Sequence, residues 1–406
     1  MKCKMLFIAM CLPFDKAFHA GGKTFNYYIK KFAQDNFEVK LIAKVLPDEE
    51  KFLKTIISEI DVYPVSTPKD KAQKILAYLK SLNSKLNPFY RYGNTLTKEI
   101  YNQIYKTLIE LKRHGYYPDV IVLEWTAMLL YIDKVKEVFP DALYVASEHD
   151  VTFLGYERKM NKASLGIQKL YWEIAYHSIK KNELSSINQC NLVVTHNNKD
   201  KKLLVQNGIS EKKLGVIAPY YDKFPSISRI PNNRDVIFYG AMNRIENSES
   251  AIWFIENVMP LLDRYDIRFI VIGNRPPKKL LDMQNNRILV TGFVDTPSPY
   301  FEKAVCLVAP LLLGAGVKVK IIEALSSGVP VLTNEIGIEG IDAVPERDYF
   351  LCNSPEDYAS KIIDIISGNI NIDKISRQAH LLIENKYNLE NSYIQYRERI
   401  LKLKHE

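Results

Sequence analysis

Short apolar runs alternate with amphipathic segments along this chain, and the alternation predicts an α/β fold built on parallel strands. Residues 4–10, 39–45 and 119–124 have the length and the continuous apolar character of strands that are buried on both faces. Between the first two runs, apolar residues recur at helical spacing over residues 24–34. Strand, helix and strand in this order predict the βαβ opening of a parallel sheet.

The same alternation starts again after residue 234, which predicts two Rossmann-like domains in series. The first half has further predicted strands at 142–147, 191–195 and 214–218, and helical stretches at 46–117 and 151–189. Three prolines in residues 219–233 indicate a linker between the halves. The predicted organisation is a first domain over 1–218, the linker over 219–233, a second domain over 234–385 and a final helical segment over 386–406.

The stretch from 311 to 334 combines a glycine-rich loop with a helix that carries two lysines at its start. The loop covers residues 314–316, apolar residues at helical spacing follow it, and Gly328 ends the helix. Backbone N–H groups at such a loop and helix start are suited to binding phosphate. Lys318 and Lys320 lie in the first turns, where the helix dipole disfavours cations, so an anionic ligand is expected nearby.

This stretch resembles the donor-sugar segment of the family 4 retaining glycosyltransferases, which have the GT-B fold. Its sequence, GAGVKVKIIEALSSGVPVLTNEIGIEG, contains the family's Glu-Ala and Gly-x-Pro-Val motifs, which implies that Glu323 binds the ribose hydroxyls of a nucleotide sugar. Ala315 stands where the family has a first Glu that touches the donor sugar. The sequence is similar to a sub-group that has a Gly-x-Gly loop and a lysine three residues before the second Glu, here Lys320. The resemblance implies two Rossmann-like domains that face each other across a cleft, with C-terminal helices crossing back to the first domain.

Two segments of the first half resemble the same family. Residues 146–150 read ASEHD, similar to the family's strand that ends in His-Asp, which implies that His149 contacts the donor sugar at the reaction centre. Gly21 and Gly22 precede the first predicted helix and match the family's glycine-rich loop near the donor diphosphate. Glu124 also ends a predicted strand and is a candidate on the acceptor side.

The loop after residue 239 departs from the family pattern. Many members have an Arg directly after the glycine that corresponds to Gly240 and a Lys five residues later, and both contact the diphosphate. Here those positions are Ala241 and Glu246. Arg244 is the nearest cation, and it is either a substitute for these contacts or a solvated loop residue. Lys320 is therefore the first candidate for the diphosphate.

The other donor-side candidates lie close to this lysine in sequence or in the turn after the last donor strand. They are Gly314, Ala315, Gly316, Val317, Lys318 and Glu339. The glycine loop is expected to present N–H groups to the sugar or the phosphates. Glu339 has two interpretations, a helix cap or a contact to the ribose. Together, His149, Lys320 and Glu323 are the residues expected to carry the reaction.

Charge and composition narrow the class of partner. The 406 residues carry a net charge of +8 without an aromatic and basic motif typical of nucleic-acid binding, so no nucleic-acid partner is expected. The charge is consistent with an anionic substrate or an anionic membrane surface. Residues 87–119 interleave aromatic and basic side chains, and they form either an amphipathic helix packed on the sheet or a surface that meets a lipid-linked acceptor at the membrane.

Cysteine usage and the apolar segments predict a cytoplasmic protein. The five cysteines are scattered and odd in number, which argues for a reducing compartment and against a disulfide frame or a metal cluster. The short apolar run at the N-terminus leads directly into a loop and a helix, so it is interpreted as a strand and not as a signal peptide. No apolar stretch approaches the length of a transmembrane helix, and only peripheral contact with the inner face of the membrane is expected.

The resemblance implies a retaining glycosyltransferase that moves a sugar from a nucleotide-diphosphate sugar to a glycan or lipid-linked saccharide, in bacterial surface polysaccharide synthesis. The sequence has no Asp-x-Asp motif, so neither a metal nor another cofactor is expected. Two alternatives stay open. One is a nucleotide-sugar epimerase on the same fold, and the other is a non-catalytic GT-B partner subunit of a glycan-assembly complex, which the residues at 241, 246 and 315 would allow.

Overall fold

The computed structural model of the chain describes residues 2–15, 17, 19–66, 87–89, 96–164, 166–223, 231–232, 234–313 and 316–405. These residues form two compact units. The first unit contains Met1–Tyr220 together with Leu389–Glu406, and the second contains Tyr221–Asn388. Part of the predicted linker, residues 224–230 and 233, lies outside the described residues.

The first unit is built on a parallel sheet of seven described strands. They are β1 (Cys3–Ala9), β2 (Phe37–Val45), β3 (Ile60–Ser66), β4 (Val120–Glu124), β5 (Leu143–Glu148), β6 (Leu192–Thr195) and β7 (Leu214–Val216). Their order across the sheet is β3-β2-β1-β4-β5-β6-β7, and every pair is parallel. This order places the carboxyl ends of β4, β5 and β6 side by side.

Helices cover both faces of this sheet. They are α1 (Ala20–Gln34), α2 (Lys98–Arg113), α3 (Trp125–Leu129), α4 (Ile132–Val138), α5 (Thr152–Lys162), α6 (Ile167–Asn188) and α7 (Asn198–Gln206), with 3₁₀ helices at Glu50–Thr55 and Glu211–Lys213. Leu6 and Ile8 of β1 belong to one apolar core, and Met5 and Phe7 belong to the other. Because successive side chains of a strand point to opposite faces, a strand with two cores reads as a continuous apolar run.

The second unit repeats this architecture. Its strands are β8 (Asp235–Tyr239), β9 (Arg268–Ile272), β10 (Ile288–Gly292), β11 (Ala304–Ala309), β12 (Val331–Thr333) and β13 (Phe350–Leu351), in the order β10-β9-β8-β11-β12-β13 and all parallel. Its helices are α8 (Ile245–Asn257), α9 (Lys278–Leu281), α10 (Ser298–Lys303), α11 (Val319–Ser327), α12 (Glu335–Ile338), α13 (Pro355–Ile366) and α14 (Ile372–Lys386), with a 3₁₀ helix at Met259–Leu262.

The last helix, α15 (Leu389–His405), belongs to the first unit. The rings of Tyr393 and Tyr396 lie edge-on to Phe32 of α1, with centroid distances of 5.1 and 5.3 Å. The Tyr28 hydroxyl donates to the Ala218 carbonyl oxygen at 2.8 Å and lies 2.7 Å from Ser392 Oγ. The predicted α/β class, with a C-terminal helix that returns to the first domain, is therefore confirmed.

The predicted end of one helix and the predicted start of another in the second unit are also confirmed. Gly328 ends α11 in the left-handed conformation, with φ of 75°. Ser354 and Asp357 form the capping box of α13, in which each side chain accepts from the backbone N–H of the other residue. Among the described residues, no helix combines the length and the apolar character that crossing a bilayer requires.

Three element predictions are wrong. Residues 46–117 are not all helical, because β3 forms there and extends the sheet edge. The helical segment 151–189 consists of two helices, since Gly166 with φ of 107° breaks it. Helix α1 begins at Ala20 and not at residue 24, so Gly21 and Gly22 lie in its first turn and not in a loop. His19 caps this helix, and a cap of this residue type is not among the usual sequence signals.

The α15 contacts lead to a stability prediction. Tyr396 is buried, and its hydroxyl has no hydrogen-bond partner among the described residues. Tyr396→Ala should lower the free energy of unfolding by about 3 to 5 kcal/mol, because it leaves a cavity in the core. Tyr396→Phe should leave that free energy unchanged or raise it, since it removes an unsatisfied hydroxyl. Urea unfolding followed by circular dichroism measures both.

Tyr117→Ala is the matched control, because Tyr117 belongs to the same unit and its side chain is 60% exposed. Its free energy of unfolding should stay within about 0.5 kcal/mol of the wild-type value. A loss on Tyr396→Phe as large as that on Tyr396→Ala would show that the hydroxyl, and not the ring, stabilises the helix.

Candidate functional site

Two strand-end loops of the second unit are in close contact. Gly240 follows β8 and Gly273 follows β9, with φ of 155° and 153°. A Cβ atom on Gly273 would lie 1.7 Å from the Gly240 carbonyl oxygen, so no other residue fits without a backbone shift. The Met242 N–H donates to the Asn274 carbonyl oxygen at 3.0 Å. These contacts fix the conformation of the loop that the sequence assigns to the diphosphate.

Helix α11 begins at the predicted lysines. Lys318 is its N-cap residue, makes no side-chain cap bond, and is followed by Val319 and Lys320 in the first turn. The partial positive charge at a helix N-terminus disfavours cations at these two positions. Lys318 Nζ donates to the Gly316 carbonyl oxygen at 2.6 Å and lies 3.6 Å from a carboxylate oxygen of Glu339. The positive potential of the backbone and of both lysines therefore acts in the same region.

Lys320 connects α11 to the β8 loop. Its Nζ donates to Asn247 Oδ1 at 2.6 Å and lies 4.7 Å from the centre of the Phe238 ring. Asn247 Nδ2 in turn donates to the Ala241 carbonyl oxygen at 2.8 Å. Burial, followed by the charges of Lys318 and Arg244, lowers the pKa of Lys320 to about 7. Asn247 is a site residue that sequence reasoning missed, since its contact spans 73 positions.

Glu323 lies on α11 one turn after Lys320 and is 5% exposed. Its Oε1 accepts a hydrogen bond from the Asp222 backbone N–H at 3.3 Å. Burial, and then the charges of Glu323 and Asp222, raise the pKa of Tyr239 at the end of β8. The carboxylate is thus held at the carboxyl edge of the sheet, next to a neutral phenol. The contact of Glu323 with ribose stays a prediction.

Glu339 is the C-cap residue of α12, whose N-cap residue Asn334 accepts from the Gly337 N–H at 3.0 Å. The Glu339 carboxylate lies beside Lys318. Its contact with ribose stays a prediction.

The remaining donor-side candidates differ in what the structure describes. Gly314 and Ala315 lie outside the described residues. Gly316 has φ of 69°, and Val317 is half-buried. Arg244 is the N-cap residue of α8, and its guanidinium forms an ion pair with Glu246. Their roles in donor binding stay predictions.

The first unit brings together Glu124 and His149, which sequence reasoning had treated separately. They end or follow the neighbouring strands β4 and β5, and Glu124 Oε2 lies 2.9 Å from His149 Nε2. Their side chains are 5% and 8% exposed. Burial raises the pKa of Glu124 to about 7 and lowers the pKa of His149 to about 3. His149 is thus neutral near pH 7, and protonation of Glu124 would reverse the direction of their hydrogen bond.

Trp125 and Gly21 hold the His149 ring in place. The Trp125 and His149 rings stack with centroids 4.1 Å apart and an interplanar angle of 13°. Trp125 has φ of 68°, a strained conformation for a bulky residue. A Cβ on Gly21 would lie 3.2 Å from His149 Nδ1, so the glycine allows the helix start to approach the imidazole closely. Gly22 donates its N–H to His19 Nδ1 at 2.9 Å and contributes through that cap.

His196, which sequence reasoning took as structural, lies against His149. Their ring centroids are 4.6 Å apart. His196 Nδ1 lies 3.3 Å from the Ile217 carbonyl oxygen, while its buried Nε2 has no hydrogen-bond partner among the described residues. Burial and the neighbouring His149 lower the pKa of His196 to about 3. The only sequence signal for this contact is that His196 follows strand β6 just as His149 follows β5. The other histidine taken as structural, His177, has an exposed ring contact with Tyr176.

Two buried carboxylates stabilise the backbone next to His149. Glu183 accepts from the N–H groups of Thr152 and Phe153, both at 2.9 Å, and so caps α5. Glu148 Oε2 accepts from the Thr126 hydroxyl at 2.6 Å. Burial raises the pKa of both carboxyl groups, that of Glu183 to about 8. This network fixes the loop that carries His149.

Metal-ligand groupings are not found in the parts of the chain that the structure describes. No three side chains of His, Cys, Asp or Glu are placed there so that they could hold a metal ion. The described candidate groups are instead cations and backbone N–H groups in the second unit, and a neutral imidazole beside a buried carboxyl group in the first.

Comparison with known proteins finds a family model that matches most of the second unit. Residues 233–368 match the model of a family described as Glycosyl transferases group 1. A protein of Klebsiella pneumoniae, described as an uncharacterized 44.6 kDa protein in cps region, is 23% identical over 256 residues. That match covers 59% of this chain and 63% of the relative's length.

Solved structures resemble the chain over nearly its whole length. Sucrose-phosphate synthase from Thermosynechococcus elongatus has a TM-score of 0.67 and 13% identity, and the match covers 99% of each chain. HepE of Anabaena, in complex with UDP-glucose, has a TM-score of 0.64 and 14% identity over 98% of this chain and 99% of that one. At such identities the likeness concerns the fold. The predicted family resemblance and the predicted fold are thus confirmed: residues 233–368 match the group 1 glycosyl transferase model, and the chain has a GT-B fold.

Proposed function

We propose that the protein is a retaining glycosyltransferase that moves a sugar from a nucleotide-diphosphate sugar to a glycan or lipid-linked saccharide. The observation that carries this proposal is the pair of lysines at the start of α11, in a domain of the group 1 family. The solved complex of HepE with UDP-glucose supports a nucleotide sugar as donor. The relative from a cps region supports a role in bacterial surface polysaccharide synthesis.

In this proposal the second unit binds the donor. Glu323 accepts hydrogen bonds from the ribose hydroxyls, and Lys320 neutralises the diphosphate with support from Lys318 and Arg244. A diphosphate next to α11 would favour the charged form of Lys320 and add a second anion to the Glu339 carboxylate beside Lys318. A fixed cation is most effective where charge develops in the transition state, which here is the departing diphosphate.

His149 of the first unit contacts the sugar near the anomeric carbon. Its ring is neutral near pH 7 and is held by Trp125 and Glu124, so it offers a hydrogen bond in a fixed direction. Glu124 has two roles available in this arrangement: it positions His149, and it lies on the side assigned to the acceptor. We favour the positioning role, because its carboxyl group is bonded to the imidazole and is buried.

The reaction breaks the bond between the anomeric carbon and the diphosphate oxygen and forms a bond from that carbon to the acceptor oxygen. In the retaining mechanism that we propose, the departing phosphate accepts the acceptor proton on the same face of the sugar. No nucleophile from the protein is then needed. The proposal includes no metal ion or other cofactor, and it places the protein in the cytoplasm with peripheral contact to anionic membrane.

A panel of UDP-, GDP-, ADP- and dTDP-sugars, scored by melting temperature and by release of nucleotide, tests the function. One donor should stabilise the protein, and its nucleotide should be released slowly by hydrolysis and faster with a saccharide acceptor. An altered free nucleotide sugar without transfer would instead identify an epimerase. Absence of binding to every donor would favour the non-catalytic partner subunit.

The donor found in this panel allows a test of the ribose contact. Glu323→Ala should weaken donor binding by roughly 10- to 100-fold, because two hydroxyl groups lose a charged acceptor. Glu302→Ala is the control, since Glu302 belongs to the same unit and is exposed. Isothermal titration calorimetry measures both affinities. Equal affinities of Glu323→Ala and the wild type would remove Glu323 from the donor site.

The pKa of Lys320 predicts a pH dependence of donor binding. In the free protein this pKa is about 7, and a bound diphosphate raises it because the anion favours the charged amine. Binding therefore takes up a proton, so the affinity is highest below pH 7 and falls by up to about tenfold per pH unit as the pH rises above that value. Calorimetry in buffers of different ionisation enthalpy measures the proton uptake directly.

Lys320→Met should bind the donor weakly and without this proton uptake. Lys303→Met, at an exposed position of the same unit, should keep the wild-type pH dependence. A nucleotide sugar is the suitable ligand here, because its diphosphate does not titrate above neutral pH. Proton uptake that persists in Lys320→Met would assign the titration to another group.

Substitution of His149 should lower the rate of sugar transfer and leave the affinity for the nucleotide unchanged. His149→Ala should lower kcat by roughly 10- to 100-fold, the cost of one lost hydrogen bond near the reacting carbon. The melting-temperature increase caused by the free nucleoside diphosphate should stay unchanged, because that ligand lacks the sugar. His177→Ala, an exposed histidine of the same unit, is the control. Wild-type kcat in His149→Ala would contradict the assignment.

A further inference from the structure

Helices α5 and α6 form a hairpin whose outer part is not covered by the first unit. Of the described residues between Phe153 and Ala175, none is buried. Ile167 is 89% exposed and Leu170 is 56% exposed, and the two lie one turn apart at the start of α6. We name residues 154–164 and 166–174 the basic hairpin. Two large aliphatic side chains in water, next to each other on a helix, indicate a contact surface.

Cations and aromatic rings surround these two aliphatic residues. The basic hairpin has four cations (Arg158, Lys159, Lys162, Lys169) and two carboxylates (Glu157, Glu173). Tyr156 and Trp172 pack edge to face at 5.8 Å, and Lys159 Nζ lies 5.2 Å and 5.0 Å from the centres of their rings. Exposed aliphatic residues, half-buried aromatic rings and lysines together are the composition of a segment that lies at a membrane interface.

We infer that the basic hairpin docks the protein on an anionic lipid bilayer, with Ile167 and Leu170 in the acyl boundary and the lysines at the headgroups. Lysine side chains are suited to this because their aliphatic stems contact apolar groups while the amines reach the phosphates. The proposed function includes a contact with anionic membrane, and the basic hairpin is the surface that makes this contact. The inference rests on that part of the proposed function. It does not depend on which nucleotide sugar is bound.

This placement differs from the surface considered from sequence at residues 87–119. Helix α2 occupies much of that segment and buries its apolar face, including Ile100, Ile104 and Leu108, in the core. Residues 90–95 lie outside the described residues. The packed helix, one of the two sequence interpretations, is thus confirmed for α2. The two most exposed aliphatic side chains next to each other on one helix of the first unit, Ile167 and Leu170, lie on the hairpin.

Charge complementarity favours a bilayer over a second copy of this chain. Four cations and two carboxylates give the surface a net charge of +2, so a copy of it would oppose two surfaces of like net charge, which costs energy at low ionic strength. An anionic bilayer satisfies the lysines and buries the two aliphatic side chains at once. A dimer is therefore the competing outcome of the test.

Flotation of the full chain with vesicles of phosphatidylcholine, with and without phosphatidylglycerol, tests the inference. The wild type should bind the anionic vesicles and not the neutral ones, and added salt should weaken the binding. Lys159→Glu/Lys162→Glu should reduce binding more than tenfold, since each lysine near the surface contributes about fivefold. Ile167→Ser/Leu170→Ser should reduce it by roughly tenfold through the lost apolar contact.

Matched controls come from the second unit, where Leu381 is 42% exposed and Lys278 is also exposed. Leu381→Ser and Lys278→Glu should bind the vesicles like the wild type. All variants should keep the wild-type melting temperature and its increase on binding the donor, which separates loss of docking from loss of the folded donor site. A failure of the donor panel with intact vesicle binding would contradict the proposed function but not this surface.

Trp172 supplies a second measurement. Brominated lipids in anionic vesicles should quench the wild-type tryptophan fluorescence, and Trp172→Phe should abolish that quenching, whereas Trp253→Phe should retain it. Wild-type binding by both double variants, or no binding of the wild type to anionic vesicles, would overturn the inference. So would a dimer in sedimentation velocity that Ile167→Ser/Leu170→Ser dissociates.

Discussion

The constraint on which both units depend is that a parallel sheet covered by helices on both faces leaves polar chemistry only at its strand ends. The strands themselves are filled by apolar side chains such as Phe7 and Phe238, both nearly inaccessible to water. The assigned polar groups therefore lie at a strand end, just beyond it, or on the helix that follows, as Lys320 and Glu323 do on α11. Glu124 and His149 follow this rule in the first unit, and Gly240 follows it in the second. The order of the strands in the sheet then decides which of these groups lie close together.

Exclusion of water sets the protonation of the main titratable groups at these edges. Burial raises the pKa of Glu124 and lowers the pKa of Lys320, and both values come to about 7. The two shifts have opposite directions because burial always disfavours the charged form. A group with a pKa near 7 is only partly charged in the free protein, and an oppositely charged partner shifts it toward the charged form. The free protein thus avoids most of the cost of buried charge, and a ligand supplies the compensation.

Much of the fold could be predicted from the sequence, because apolar periodicity and glycine positions are local signals. Strand β3 was missed because it lies at a sheet edge and carries Asp61 and Tyr63, so its apolar run is weak. The start of α1 was missed because a histidine caps it. For the site, spacing placed Lys318 and Lys320 at a helix start, but it gave no means of finding Asn247. Likewise, His196 meets His149 only because β6 pairs with β5, and pairing order is not a local property of the sequence.

The low pKa of Lys320 has a consequence for chemical reactivity. An amine that is largely neutral at physiological pH is a nucleophile, whereas a lysine on an ordinary protein surface is protonated and unreactive. Near neutral pH the Lys320 amine is unprotonated in part of the molecules, and its nitrogen lies 4.7 Å from the centre of the Phe238 ring. A lowered pKa favours Lys320 over surface lysines in reactions with activated esters or aldehydes, and Lys44 is a second lysine whose pKa is lowered by burial. Burial therefore both prepares this lysine to take up a proton with an anionic ligand and increases its reactivity as a nucleophile.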